Sequence, residues 1–208
     1  MKIEIEHVSK KIKDALVLDD VCMTLESGNI YGFQGVNGSG KTMLMRAVSG
    51  LMYPTSGTIR IDGKVLGKNM AFPEKIGMLI ENPAFIDSYT GYDNLKMLAS
   101  INKGEVDISR ALETVGLNPH DKRKYRKYSL GMKQRLGIAC AIMEEPKLIL
   151  LDEPFNALDK EGQEKLSEII RDMRDKGSLI LLSSHDKDEL ENLSDVIYRV
   201  DSGRFKLK

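Results

Sequence analysis

The spacing of apolar residues changes twice along this chain and divides it into three parts. At the start, Met1-Lys2-Ile3-Glu4-Ile5-Glu6 alternates aliphatic and charged residues, the two-residue period of a half-buried strand. The spacing predicts strands over residues 2–8, 16–25 and 30–34, a helix over 43–49, and short strands over 58–61 and 76–80. A turn-forming run, Tyr53-Pro54-Thr55-Ser56-Gly57, separates that helix from the strand that follows. From about residue 82 to 145 the apolar spacing becomes three and four, predicting helices over 93–101, 108–115 and 131–143. Aliphatic runs then return, with strands over 147–151, 178–183 and 196–200 alternating with helices over 160–176 and 186–193. Strand–helix alternation of this kind builds a parallel sheet, so the expected class is α/β with a helical insertion in the middle.

Candidate chemistry sits at two of the predicted strand ends. Between the strand 30–34 and its helix lies Gly35-Val36-Asn37-Gly38-Ser39-Gly40-Lys41-Thr42, which fits the phosphate-binding pattern G-x-x-x-x-G-K-[ST] in the required strand–loop–helix context. Its glycines let backbone N–H groups converge on phosphates, Lys41 adds a mobile positive charge, and the Thr42 hydroxyl is a ligand for Mg²⁺. A nucleoside triphosphate is the expected ligand. The second run, Lys147-Leu148-Ile149-Leu150-Leu151-Asp152-Glu153-Pro154, reads as a central buried strand that delivers two carboxylates to its carboxyl end, where open α/β sheets place ligands. Asp152 is expected in the metal shell and Glu153 as the group that polarises the attacking water.

Composition narrows the class. At 208 residues, 41% apolar and 30% charged, the chain can bury one sizeable core. Its longest aliphatic runs, 148–151 and 179–182, fall far short of the roughly 18 apolar residues of a membrane-spanning helix, and the start lacks the apolar region of a secretory signal, so a cytoplasmic location is expected. Equal numbers of acidic and basic residues, 31 each, argue against a general nucleic-acid binder. Cys22 and Cys140 lie in apolar stretches with no second cysteine or histidine at metal spacing, and are expected to be buried reduced thiols. The basic run Lys122-Arg123-Lys124-Tyr125-Arg126-Lys127 is either a solvated loop or a contact for a membrane subunit or anionic headgroups.

Three further runs carry a family resemblance over essentially the whole chain. Tyr128-Ser129-Leu130-Gly131-Met132-Lys133-Gln134-Arg135 resembles the signature sequence of the ATP-binding-cassette ATPases. Asn156-Ala157-Leu158-Asp159 looks like that family's D-loop, and Ser183-Ser184-His185 ends a strand as its switch histidine does. Ile80-Glu81-Asn82-Pro83 stands where most relatives carry a glutamine loop, a trait of bacitracin- and lantibiotic-type exporters. The resemblance implies a P-loop NTPase core with a mostly parallel sheet, an antiparallel β subdomain at the N-terminus and an inserted helical subdomain. It places the nucleotide-binding core at residues 1–81 and 147–208 and the helical insertion at 82–146, in a single domain spanning 1–208. It also implies ATP with Mg²⁺ held by Thr42, Glu81 and Asp152, and His185 acting beside Glu153. Ser129 and Gly131 would face the phosphate loop of a second ATPase subunit, identical or related, although the same residues also make an ordinary helix cap.

This chain departs from the family pattern at several positions. Leu130 replaces the first signature glycine and Met132 the glutamine, which bears on close approach across the dimer. Glu81 adds a charge beside Asp152 and Glu153, acting either on a carboxylate pKa or on metal affinity. Lys10-Lys11-Ile12-Lys13 lacks the aromatic ring that usually stacks on adenine, leaving Ile12 and opening the site to GTP. Two function classes follow. The first is the motor subunit of a transporter, peripheral on the inner face of the membrane and paired with a separate transmembrane permease, exporting a peptide antibiotic or another small amphiphile. The second is a soluble cassette ATPase serving as an assembly or scaffold factor.

Overall fold

The computed structural model describes residues 1–81, 83–101 and 105–208. Two sheets organise it. The first is antiparallel, in the order β2-β1-β4-β5, from β1 (Lys2–Ile12), β2 (Ala15–Glu26), β4 (Ser56–Ile61) and β5 (Lys64–Val65). The second runs β10-β9-β3-β8-β7-β6, from β3 (Ile30–Gln34), β6 (Ile76–Leu79), β7 (Leu148–Asp152), β8 (Leu179–Ser184), β9 (Val196–Asp201) and β10 (Arg204–Leu207). All its pairs are parallel except β9 with β10. The predicted elements are all present with boundaries close to those expected, except that β1 continues to Ile12. The short strands β5 and β10 and a 3₁₀ turn at Tyr125–Lys127 carry too few residues for a periodic signal.

Burial explains why β7 and β8 read as unbroken aliphatic runs. Every residue of both strands is buried, because each face of the larger sheet carries a core. Ile149, Leu151, Ile180 and Leu182 pack into one core with the helices α4 (Leu130–Ile142), α5 (Lys160–Asp175) and α6 (Lys187–Leu193). Leu148, Leu150, Leu179 and Leu181 point the other way, into a core shared with α1 (Lys41–Val48) and the antiparallel sheet. The alternation is the two-residue strand period applied to a doubly covered sheet.

The helices between β6 and β7 begin with α2 (Gly91–Ala99), closed by a capping box of Thr90 and Asp93, and α3 (Ile108–Thr114), capped by Asp107. The basic run is not a free loop. Its lysines and arginines are exposed, but Tyr125 is buried, donates its hydroxyl to the Pro83 carbonyl at 2.7 Å and carries Lys133 5.0 Å above its ring. Helix α4 lies so close to β6 that a Cβ built on Gly77 would sit 1.7 Å from the Ala141 carbonyl oxygen. Gly77→Ala must therefore push the edge strand off its helix. Equilibrium unfolding should show a loss of about 3 kcal/mol, or roughly 10 °C in Tm, and an unchanged Tm would refute this packing.

Cys22 departs from expectation. It is exposed rather than buried, because the bulged pairing of β1 and β2 turns it outward, and it lies against His7, fifteen positions away in sequence. Cys140 is half-buried on α4.

Candidate nucleotide site

The loop from Gly35 to Gly40 joins β3 to α1 at the carboxyl edge of the parallel sheet. Glycine is required at both ends of it. Gly40 has φ 116°, and a Cβ there would lie 2.9 Å from the Val17 carbonyl oxygen. A Cβ on Gly35 would lie 2.4 Å from the Val200 carbonyl oxygen. The Ser39 carbonyl accepts from the Gly203 N–H at 2.8 Å, tying the loop to the β9–β10 turn. The first-turn N–H groups of α1 face away from any helical acceptor and give this end of the helix an anion-attracting character.

A cavity of about 440 Å³ opens over the loop. Asn37, Gly38, Gly40, Lys41 and Thr42 line one side, and Asp152 and Glu153 the other. Lys41 is buried, donates to the Gly35 carbonyl at 2.6 Å and the Val36 carbonyl at 3.2 Å, and lies 3.4 Å from Glu153 Oε1. Thr42 Oγ1 donates to Asp152 Oδ2 at 2.6 Å, and Ser183 Oγ donates to the other Asp152 oxygen. Glu153 stands just past β7 with φ 49°, a left-handed conformation unusual for glutamate and of the kind found at functional sites. Its Oε2 lies 2.8 Å from Nδ1 of His185, the first residue beyond β8, and accepts from the His185 backbone N–H at 3.3 Å. Lys41, Glu153 and His185 thus form a line across the site.

Two side-chain oxygens at this end of the sheet are buried without a hydrogen-bond partner among the described residues, Glu153 Oε1 facing only the Lys41 ammonium and Ser39 Oγ lying behind the cavity lining. Thr42 and Asp152 offer hard oxygen donors, a set that fits Mg²⁺. A triphosphate fits the glycine cradle and the Lys41 ammonium beside it.

The remaining expected residues are placed differently. Glu81, at φ 61°, is on the cavity rim, but its side chain is 60% exposed and ion-paired with Arg46 at 2.5 Å, so in this conformation it points away from the metal donors. Asn82 lies outside the described residues. Ser129 does not line the cavity. It caps α4 by accepting from the Met132 N–H at 3.2 Å, and a Cβ on Gly131 would lie 2.8 Å from the Ala157 carbonyl oxygen. Asp159 of the D-loop caps α5 through the Gly162 N–H at 3.0 Å and pairs with Arg135 at 2.6 Å. The Gly162 N–H, aided by Arg135, holds the Asp159 carboxyl below its ordinary range.

Four supporting residues have roles that the sequence did not single out. Buried Gln134 donates to the Pro154 carbonyl at 2.9 Å and so fixes the turn after Glu153. Ser183 holds Asp152 and also accepts from the Glu153 N–H at 3.0 Å; the run Ser183-Ser184-His185 marked the strand end but not this role. Ala15 and Val17 join Ile12 as the apolar wall of the cavity, and none of the described lining residues is aromatic.

The fold and this loop define a nucleotide-binding ATPase subunit of the cassette type, and comparison with known proteins agrees. A family model described as ABC transporter matches residues 18–156, and the chain belongs to that family. It is 44% identical over 206 residues to an uncharacterised ABC transporter ATP-binding protein, YybJ, of Bacillus subtilis, covering 98% of this chain and 94% of that one. It is 40% identical over 199 residues to the bacitracin transport ATP-binding protein BcrA of Enterococcus faecalis, covering 94% of this chain and 65% of that one. A lantibiotic transport ATP-binding protein, SrtF, of Streptococcus pyogenes is 37% identical over 207 residues, covering 99% and 90%. A solved structure of an ATP-binding subunit of an ABC transporter superposes with TM-score 0.88 at 28% identity, covering 99% of this chain and 88% of that one. The chain is therefore an ATP-binding, ATP-hydrolysing subunit of the transporter class. Among the described residues no helix is long and apolar enough to cross a membrane.

Proposed function

We propose that this chain is the motor of an exporter for a peptide antibiotic or another small amphiphile, held at the inner membrane face by a separate transmembrane permease. The observation that carries the motor assignment is the convergence of Lys41, Thr42, Asp152 and Glu153 on one cavity, with His185 bonded to Glu153 from outside its lining. The cargo class rests on likeness to proteins named for bacitracin and lantibiotic transport.

In the proposed mechanism the amides from Gly35 to Gly40 and the Lys41 ammonium grip the terminal phosphates. Thr42 and Asp152 would hold Mg²⁺, which when bound would supply positive charge to offset that developing on the phosphates. Glu153 accepts the proton of the attacking water, and His185, 2.8 Å away, orients that carboxylate. Ser129 and Gly131 serve the cavity of a second ATPase subunit, consistent with the exposure of Ser129 and of Leu130, which is 68% exposed, beside the half-buried Gly131. Apolar Ile86, Tyr89 and Met97, exposed within the segment 82–146, and Leu51 and Met78, exposed beside Glu81, suit contact with the permease.

Pull-down from native membranes tests the class. Co-purification with a polytopic membrane protein is expected; recovery only in soluble complexes would overturn the motor reading and favour an assembly factor. The apolar wall of Ile12, Ala15 and Val17 cannot distinguish base edges, so GTP should compete with ATP within about tenfold in Kd. Ile12→Tyr should tighten nucleotide binding about tenfold through base stacking. Strong exclusion of GTP by the unaltered chain would show that base recognition lies elsewhere.

A further inference from the structure

The pairing of β1 with β2 contains three register shifts, the first two of which are opposed bulges. Ile5 faces Met23 and Val8 faces Val21, so Glu6 and His7 stand against Cys22 alone. Val8 faces Val21 and Lys10 faces Leu18, so Asp19 and Asp20 stand against Ser9 alone. Each bulge puts one residue in the left-handed region, His7 at φ 50° and Asp20 at φ 50°. These residue types adopt that conformation more readily than most. The two bulges turn His7, Asp20 and Cys22 onto one exposed outer face of the antiparallel sheet.

The three side chains meet there. His7 Nδ1 lies 2.8 Å from Asp20 Oδ1 and 3.5 Å from Cys22 Sγ, and the three donor atoms all lie within 4.8 Å of one another. The His7 backbone N–H also donates to Cys22 Sγ at 3.2 Å, fixing the sulfur between the strands. A tetrahedral zinc ion with bonds of about 2.0–2.3 Å separates its ligands by about 3.3–3.7 Å. The nitrogen–sulfur distance already fits, and the nitrogen–oxygen distance has to open by roughly 0.5 Å.

We propose that His7, Asp20 and Cys22 form a Zn²⁺ site that clips β1 to β2, with water as the fourth ligand. The mixed nitrogen, oxygen and sulfur set selects a borderline transition metal over Mg²⁺ or Ca²⁺, which take oxygen. Binding replaces the His7–Asp20 hydrogen bond and the Cys22 S–H by metal bonds; the neutral His7 imidazole carries its proton on Nε2, leaving Nδ1 free to coordinate, and the thiol proton is released to solvent. The site lies apart from the nucleotide cavity, none of whose lining residues it uses.

Alkylation of the reduced full-length chain, without nucleotide and with excess Mg²⁺ present, tests the site. The chain has two cysteines, and they are separable. Cys140 is half-buried and its thiol is pushed up to about 11, chiefly by burial and further by the Glu144 carboxylate, so near neutral pH it reacts slowly. Stoichiometric Zn²⁺ should slow alkylation of Cys22 at least about tenfold, read by mass spectrometry, and leave Cys140 unchanged. His7→Asn and Asp20→Asn both tolerate the left-handed backbone, and each should remove most of that protection without altering Tm in zinc-free buffer. Co²⁺ in place of Zn²⁺ should give a thiolate charge-transfer band that Cys22→Ser abolishes. Equal alkylation of Cys22 with and without Zn²⁺, or equal protection in both asparagine variants, would overturn the proposal.

Discussion

Replacing Glu153 by glutamine is expected to cut ATP turnover at least about hundredfold while leaving nucleotide affinity within about threefold. Glutamine keeps the shape of the side chain and a contact for His185, but it cannot take the proton of the attacking water. The surrounding structure explains why no other carboxylate substitutes. Asp152 is committed to Thr42 and Ser183, and Glu81 to Arg46. Glu153 is the acid whose second oxygen has no hydrogen-bond partner among the described residues. Phosphate release and equilibrium binding of a fluorescent ATP analogue, measured on one preparation, separate the two effects. Undiminished hydrolysis would remove Glu153 from the role proposed for it. His185→Ala should act in the same direction but more weakly, since the histidine works through Glu153.

Replacing Lys41 by alanine should produce the opposite pattern, with the loss falling on binding itself. The ammonium is 5% exposed and lies 3.4 Å from Glu153, which is 17% exposed. Without nucleotide it is held by the Gly35 and Val36 carbonyls, close to where the terminal phosphates belong. Removing one member of a buried charged contact costs about 3 kcal/mol, which corresponds to roughly a hundredfold rise in Kd for ATP. The same change leaves the Glu153 carboxylate without its nearest cation, so a fall in Tm should accompany it. Unaltered ATP affinity would mean that the glycine cradle alone carries phosphate binding.

Much of the site was legible because its parts are local. The phosphate loop is a contiguous run whose glycines are dictated by its own backbone, as Gly40 at φ 116° illustrates. Asp152 and Glu153 were readable because four aliphatic residues before them announce a strand buried on both faces. Glu81 was legible as a site-rim residue but not as a partner of Arg46, which lies 35 positions away on α1. Ser129 and Gly131 were readable as a helix start, and the single chain places Ser129 in the capping role with Gly131 in the first turn.

Order of elements, fold class, the phosphate loop and the carboxylates at a strand tip were determined by the amino-acid sequence alone, because hydrophobic period and backbone demands act over a few neighbouring residues. Tertiary structure alone decided which distant groups meet. Sheet order β9-β3-β8-β7 brings His185 to Glu153 and Thr42 to Asp152, and two opposed bulges bring His7, Asp20 and Cys22 onto one face. The physical reason is that strand pairing and bulges set contacts between residues tens of positions apart, and no local propensity encodes where those side chains come together.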